Sequence, residues 1–70
     1  MSGRYRVTLH ARQRMGERMI SDSDISHCAQ VANIKEQGDG KFKVTGQDLD
    51  GDELTIICAW DGETVIINLF

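Results

Sequence analysis

Two Asp-Gly pairs in the second half of the chain constrain the fold more than any other feature of the sequence. Asp50-Gly51 and Asp61-Gly62 each lie between runs rich in apolar and β-branched residues. Asp-Gly supplies the positive φ angles that a type I′ hairpin turn needs, so the two pairs predict three consecutive antiparallel strands. We place these strands at residues 41–49, 54–60 and 65–70.

The first half of the chain carries helical periodicity instead. Thr8 offers an N-cap hydroxyl to a first helix that closes at Met19-Ile20, and Ser21 caps a second helix. The apolar face of the second helix follows the spacing i, i+3, i+4 and i+7 and consists of Ile25, Cys28, Ala29 and Ala32. Residues 33–40, which end in a Gly-Asp-Gly sequence, lose this periodicity and predict a connection.

A two-layer α+β domain is the fold class that these patterns predict. Residues 4–7 alternate polar and apolar side chains, which allows a short edge strand with Tyr5 and Val7 directed inward. We expect two N-terminal helices, optionally preceded by this strand, packed on a three-stranded antiparallel β-meander. A chain of 70 residues rarely divides into two cores, so we expect one domain over residues 1–70.

The apolar residues also predict how the molecule is packed. The strands at 54–60 and 65–70 are apolar on both faces, and a homodimer through the sheet is the simplest way to cover the second face. Cys28 and Cys58 fall at apolar positions, so we expect reduced, buried packing residues in preference to a disulfide. Trp60 is expected in the core or in an interface.

Several classes of protein and site are disfavoured. No apolar run approaches the roughly 18 residues of a membrane helix, and the first residues lack the apolar segment of a signal peptide, so a cytoplasmic location without a membrane partner is expected. The acidic run at residues 48–52 is similar to the start of a calcium loop, but Glu53 occupies the sixth position of that loop, where glycine is required. The cysteines and histidines lack zinc-ligand spacing. We expect neither a metal ion nor a cofactor.

Residues with catalytic chemistry gather on the first helix. At about 100° per residue, His10, Arg14 and Arg18 form one stripe along the helix. The parallel apolar stripe consists of Ala11, Met15 and Met19. Histidine moves a proton near neutral pH and arginines stabilise charge on a phosphate, the combination used in metal-independent cleavage of RNA at its 2′-hydroxyl. The competing interpretation is that the histidine caps or packs and the arginines form a solvated face.

Charge is divided unevenly along the chain. Five arginines and one glutamate give residues 1–20 a charge of +4, whereas three lysines and ten acidic residues give residues 21–70 a charge of −7. The three arginines outside the stripe, which we assign to substrate binding, are Arg4, Arg6 and Arg12. Alternatively, the basic helix packs beside the acidic hairpins of its own chain. Binding of DNA through the first helix is disfavoured, because the acidic remainder would repel a duplex.

The sequence from His10 to Ser21 carries a short signature, H-A-x-x-R-M-x-x-R-x-I-S, followed by an acidic capped helix and strands separated by Asp-Gly. This arrangement resembles the small bacterial proteins of the domain of unknown function 4258 family, over nearly the whole chain from Tyr5 to Phe70. The family is distantly similar to RelE and BrnT type toxins of toxin–antitoxin pairs, which are compact α+β ribonucleases. The resemblance implies a RelE-like fold and points to His10, Arg14 and Arg18 as site residues.

Residues and resemblance together predict a small bacterial, toxin-like endoribonuclease. His10 would transfer the proton, while Arg14 and Arg18 would hold the phosphate. RNA and a cognate antitoxin protein are the expected partners. The alternative is a non-catalytic protein-interaction module or homodimeric structural domain, in which the stripe binds a partner or fastens the helix to the sheet.

Overall fold

A computed structural model describes residues 5–70 as a compact α+β fold with two helices and a five-stranded mixed sheet. The elements in chain order are β1 (Tyr5–Val7), α1 (Leu9–Arg18), α2 (Asp22–Val31), β2 (Asn33–Gly38), β3 (Lys41–Gln47), β4 (Glu53–Trp60) and β5 (Thr64–Leu69). The strand order across the sheet is β1-β5-β4-β3-β2. β1 runs parallel to β5, and all other neighbours are antiparallel.

The predicted meander is present as β3, β4 and β5, but it is not the whole sheet. The short strand expected near the start exists as β1, with Tyr5 and Val7 packed against the core. The connection predicted for residues 33–40 is wrong, because β2 occupies Asn33–Gly38 as an edge strand. All six residues of β2 are exposed, so its sequence lacks the alternation that marks a half-buried strand.

The hairpin turns also differ from the prediction. A type I′ turn needs positive φ at both central residues, but in the two predicted turns only the glycines, Gly51 and Gly62, have it. Both angles are positive at Asp39 (φ 54°) and Gly40 (φ 72°), which form the two-residue connection between β2 and β3. Asp39-Gly40, in the segment predicted to be a connection, therefore makes the tight hairpin turn. Asp50-Gly51 and Asp61-Gly62 lie in longer loops.

Both helices begin where the sequence predicts. The Thr8 hydroxyl accepts a hydrogen bond from the Ala11 amide at 3.2 Å, and Ser21 forms a reciprocal capping box with Asp24. α1 ends at Arg18, because Met19 takes a left-handed conformation with φ 56°. Met19 is 89% exposed and does not belong to the apolar stripe.

One core joins both helices to the same face of the sheet. Its buried members are Ala11, Met15, Ile20, Ile25, Cys28, Val44, Leu54, Ile56, Cys58, Ile66 and Leu69. Cys28 and Cys58 are free, buried thiols, as predicted, and burial raises the pKa of both. Ala29 is exposed, which corrects the predicted face of α2. Trp60 is 68% exposed and lies outside the core.

Neither helix covers the opposite face of the sheet. Phe42 and Val44 of β3 lie directly opposite Cys58 and Ile56 of β4, and these side chains are on the helix-covered face. The side chains at the intervening positions of β3 therefore point to the other face. Apolar residues do lie on that side, including Val65, which is buried but outside the core. The homodimer through the sheet remains a prediction.

Candidate functional site

α1 presents the histidine–arginine stripe along one side of its length. His10 lies in the first turn, Arg18 is the last helical residue, and both are exposed. Arg14, one turn from each, is half-buried. At about 1.5 Å rise per residue the three Cα atoms span roughly 12 Å along the helix axis. We call His10, Arg14 and Arg18 the α1 row.

Arg14 keeps unused hydrogen-bonding capacity within the α1 row. Its Nη1 lies 3.5 Å from Oε1 of Glu17, an exposed partner one turn along the same helix. Its Nε is buried without a hydrogen-bond partner among the described residues. An exposed pair of this kind contributes little to stability, so an anion could displace Glu17 from the guanidinium.

Two of the other predicted substrate-binding residues are paired with acidic groups of the same chain. Arg12 Nη1 lies 3.5 Å from Oδ1 of Asp22 at the start of α2. Arg6 Nη2 lies 3.8 Å from Oδ2 of Asp61, and Arg6 Nε lies 3.7 Å from Oε2 of Glu63. Both acidic residues are in the turn between β4 and β5. Arg4 lies outside the described residues. Both arginines therefore lie beside acidic residues of their own chain, Arg6 beside the β4–β5 hairpin turn and Arg12 beside the start of α2.

A polar cluster at the junction of β1, α1 and α2 had no signal in the sequence. The Tyr5 hydroxyl donates a hydrogen bond to Oδ1 of Asp22 at 2.8 Å, and the same oxygen is the partner of Arg12. Burial and the bond to Asp22 raise the pKa of Tyr5 to about 12. Three elements meet here, so local sequence patterns could not reveal the cluster.

The raised pKa makes stability depend on pH in alkaline solution. The unfolded chain loses the Tyr5 proton near its ordinary value of 10.0, whereas the folded chain keeps it to about 12. Between these values the folded state binds more protons, so the free energy of unfolding falls as the pH rises. Tyr5 is the only tyrosine, so phenolate absorbance reports it alone.

We expect native protein to titrate well above denatured protein. Asp22→Asn should move the native value part of the way back towards 10.0, because burial, the larger cause, remains. Coincident native and denatured titration curves would contradict the cluster.

Residues 7–70 match the protein-family model described as Domain of unknown function (DUF4258). The matched residues include both helices and the whole α1 row. The chain belongs to the DUF4258 family. No curated protein and no solved structure matches the chain. Similarity of this DUF4258 domain to RelE or BrnT toxins remains a prediction, and a fold does not by itself determine a function.

The DUF4258 domain has a second polar surface, whose lining includes no residue of the α1 row. An open groove between α2 and the loop after β3 is lined by Asp22, Ser23, Ser26, His27, Gln30 and Leu49. His27, the second histidine of the chain, is half-buried there. Within residues 5–70, no three His, Cys, Asp or Glu side chains are grouped to hold a metal ion, and no helix is long and apolar enough to cross a bilayer.

Proposed function

We propose that this DUF4258 domain is a metal-independent endoribonuclease whose active site is the α1 row. The observation that carries the proposal is the row itself, in which one helix face carries an imidazole and two guanidinium groups, with His10 and Arg18 exposed and Arg14 half-buried. Among the described residues, Arg18 has no carboxylate within 4.0 Å, and Arg14 has only its exposed partner Glu17. Both cations therefore remain available to a phosphate.

The chemistry follows from these three side chains. An imidazole nitrogen of His10 accepts the proton of a ribose 2′-hydroxyl, and the 2′-oxygen then attacks the adjacent phosphorus. The bond from phosphorus to the 5′-oxygen breaks, and that oxygen takes a proton from water. Protonated His10 then returns its proton to the hydroxide so formed, which regenerates the base. Arg14 and Arg18 donate charged hydrogen bonds to the phosphate oxygens as negative charge develops. The products are a 2′,3′-cyclic phosphate and a free 5′-hydroxyl.

Arg6 and Arg12 would assist substrate binding only after exchanging partners. Their ion pairs are exposed and 3.5–3.8 Å long, so exchange with an RNA phosphate costs little. In this proposal Arg12 attracts RNA towards α1, whereas Arg6, whose row lies on the sheet face opposite α1, adds only long-range attraction. Arg4 is assigned to substrate binding with them. The cytoplasm is the proposed site of action.

Substitution of His10 tests the proposal directly. Purified wild-type protein is incubated with total bacterial RNA at low salt in the presence of a chelator, beside His10→Ala and His27→Ala. We expect cleavage by the wild type and by His27→Ala, and a loss of at least about 100-fold in His10→Ala, the usual contribution of a general base. His27 is the matched control, since it is the only other histidine. Intact RNA with the wild type, or unchanged cleavage by His10→Ala, would overturn the proposal.

The second candidate function is a non-catalytic protein-interaction module. It is favoured by two exposed apolar side chains at the ends of α1, Leu9 at 81% and Met19 at 89% exposure. Large apolar groups beside arginines are typical of protein interfaces. A protein seated along α1, such as the cognate antitoxin expected from the resemblance, would cover both residues and the α1 row.

A further inference from the structure

All three lysines of the chain lie on the sheet face that the helices leave uncovered. Lys41 and Lys43 alternate along β3 with Phe42 and Val44, which belong to the helix-covered face. Lys35 of β2 is directly opposite Lys43 and therefore shares its face. Among residues 5–70, we call the sheet face opposite the two helices, which carries Lys35, Lys41 and Lys43, the open face.

The strand register places the lysines at one corner of the open face. One row across the sheet runs Lys41, Ala59, Val65 and Arg6. The next row runs Lys35, Lys43, Ile57 and Asn68. Neighbouring strands are about 4.8 Å apart and alternate residues of one strand about 6.7 Å apart, so the three ammonium groups can reach one short stretch of a polyanion.

The positive charge at this corner is not neutralised by ion pairs within the described residues. The ion pairs of the described residues involve Arg6, Arg12 and Arg14, and none of them involves a lysine. Lys35 and Lys43 stand opposite each other, an arrangement that destabilises a sheet unless an anion lies between the two groups. Glu53 on this face lies at the far end of β4, and the carboxylates of Asp61 and Glu63 are paired with Arg6 at the other edge of the Lys41 row.

The rest of the open face suits unstacked bases. A third row contains Thr45 and Thr55, and Phe70 exchanges both backbone hydrogen bonds with Thr55 (2.8 and 2.9 Å), which places its side chain on the same face. Phe70 is 47% exposed, so its ring can stack on a base. Thr55 is buried, so the lysines and the Phe70 ring are the groups that this face offers to a ligand. Lysines beside an aromatic ring bind a single strand better than a duplex, whose bases are stacked inside.

We propose that the open face is a binding surface for single-stranded nucleic acid, with Lys35, Lys41 and Lys43 holding the backbone and Phe70 stacking on a base. The proposal does not depend on cleavage, because this face is on the opposite side of the sheet from α1. It concerns a binding surface of its own, even where the bound strand is also a substrate of the α1 row.

A labelled single-stranded DNA oligonucleotide tests the proposal, since it lacks the 2′-hydroxyl that the α1 row would need for cleavage. Binding is measured by fluorescence anisotropy over a range of salt concentrations. Replacing all three lysines (Lys35→Gln, Lys41→Gln, Lys43→Gln) should weaken binding about 10-fold or more and lower the salt slope by about 2. The matched control replaces the same lysines by arginine and should bind as the wild type does. Phe70→Ala should weaken binding roughly 5-fold or more.

Three outcomes would overturn the proposal. The first is a wild-type protein that does not bind the oligonucleotide at low salt. The second is binding that survives the glutamine variant but is lost when Arg14 and Arg18 are replaced by glutamine. The third is a wild-type dimer in sedimentation that dissociates in the glutamine variant, which would assign the open face to a second copy of the chain.

Discussion

Gly46→Ala is expected to lower the free energy of unfolding by about 3 kcal/mol, the upper part of the usual cost of overpacking. An added Cβ at Gly46 would lie 2.8 Å from the Cys28 carbonyl oxygen and 3.0 Å from its sulfur. The oxygen belongs to the backbone of α2, so the whole helix would have to move away from β3. In a domain of 70 residues with a total stability of roughly 4–10 kcal/mol, thermal unfolding should occur about 10–20 °C lower.

Gly16→Ala is the matched control, since it adds the same methyl group to the middle of α1. Nothing lies within 4 Å of a Cβ at Gly16. Alanine favours a helix over glycine by about 1 kcal/mol, so this variant should unfold at a higher temperature. Equal melting temperatures for Gly46→Ala and the wild type would contradict the close packing of α2 on β3.

The double variant Arg14→Ala/Arg18→Ala should lose about 100- to 1,000-fold or more in RNA cleavage while it melts within a few degrees of the wild type. Removing one donor that stabilises a developing oxyanion commonly costs a factor of this size. Stability should change little, because Arg18 is exposed and the Arg14–Glu17 pair is an exposed contact at 3.5 Å. Activity and thermal unfolding are measured on the same preparations.

The same two measurements separate the candidate functions of α1. A large fall in melting temperature would assign the arginines to fastening the helix on the sheet. An unchanged melting temperature with unchanged cleavage would remove them from the active site and favour the interaction module. Glu17→Ala frees Arg14 without removing a cation, so it should cleave RNA at least as well as the wild type.

Much of the fold follows from local patterns in the sequence. The caps at Thr8 and Ser21 are strong signals because each hydroxyl satisfies an amide at a helix start, and both are confirmed. The faces of β3 also follow from local sequence, because Phe42 and Val44 alternate with Lys41 and Lys43 and a half-buried strand has a period of two. The α1 row required only helical geometry.

Features that depend on distant residues could not be predicted in this way. β1 pairs with β5, at the other end of the described chain, and no local pattern reports such a partner. β2 is exposed on both faces, so its strand character leaves no periodicity. The acidic partners of Arg6 lie in the turn between β4 and β5, and the partner of Arg12 lies at the start of α2. Because no local pattern shows these partners, both arginines were predicted to be available to a substrate.

The chemical ends of the RNA products test the central claim most directly. A defined oligoribonucleotide is incubated with the protein in chelator, beside a copy with a single 2′-deoxyribose at the cleaved nucleotide. The α1 row predicts a 2′,3′-cyclic phosphate and a 5′-hydroxyl on the products, and an intact 2′-deoxy substrate, because His10 acts through the 2′-hydroxyl. Cleavage of both substrates, or products with a 5′-phosphate, would contradict the account.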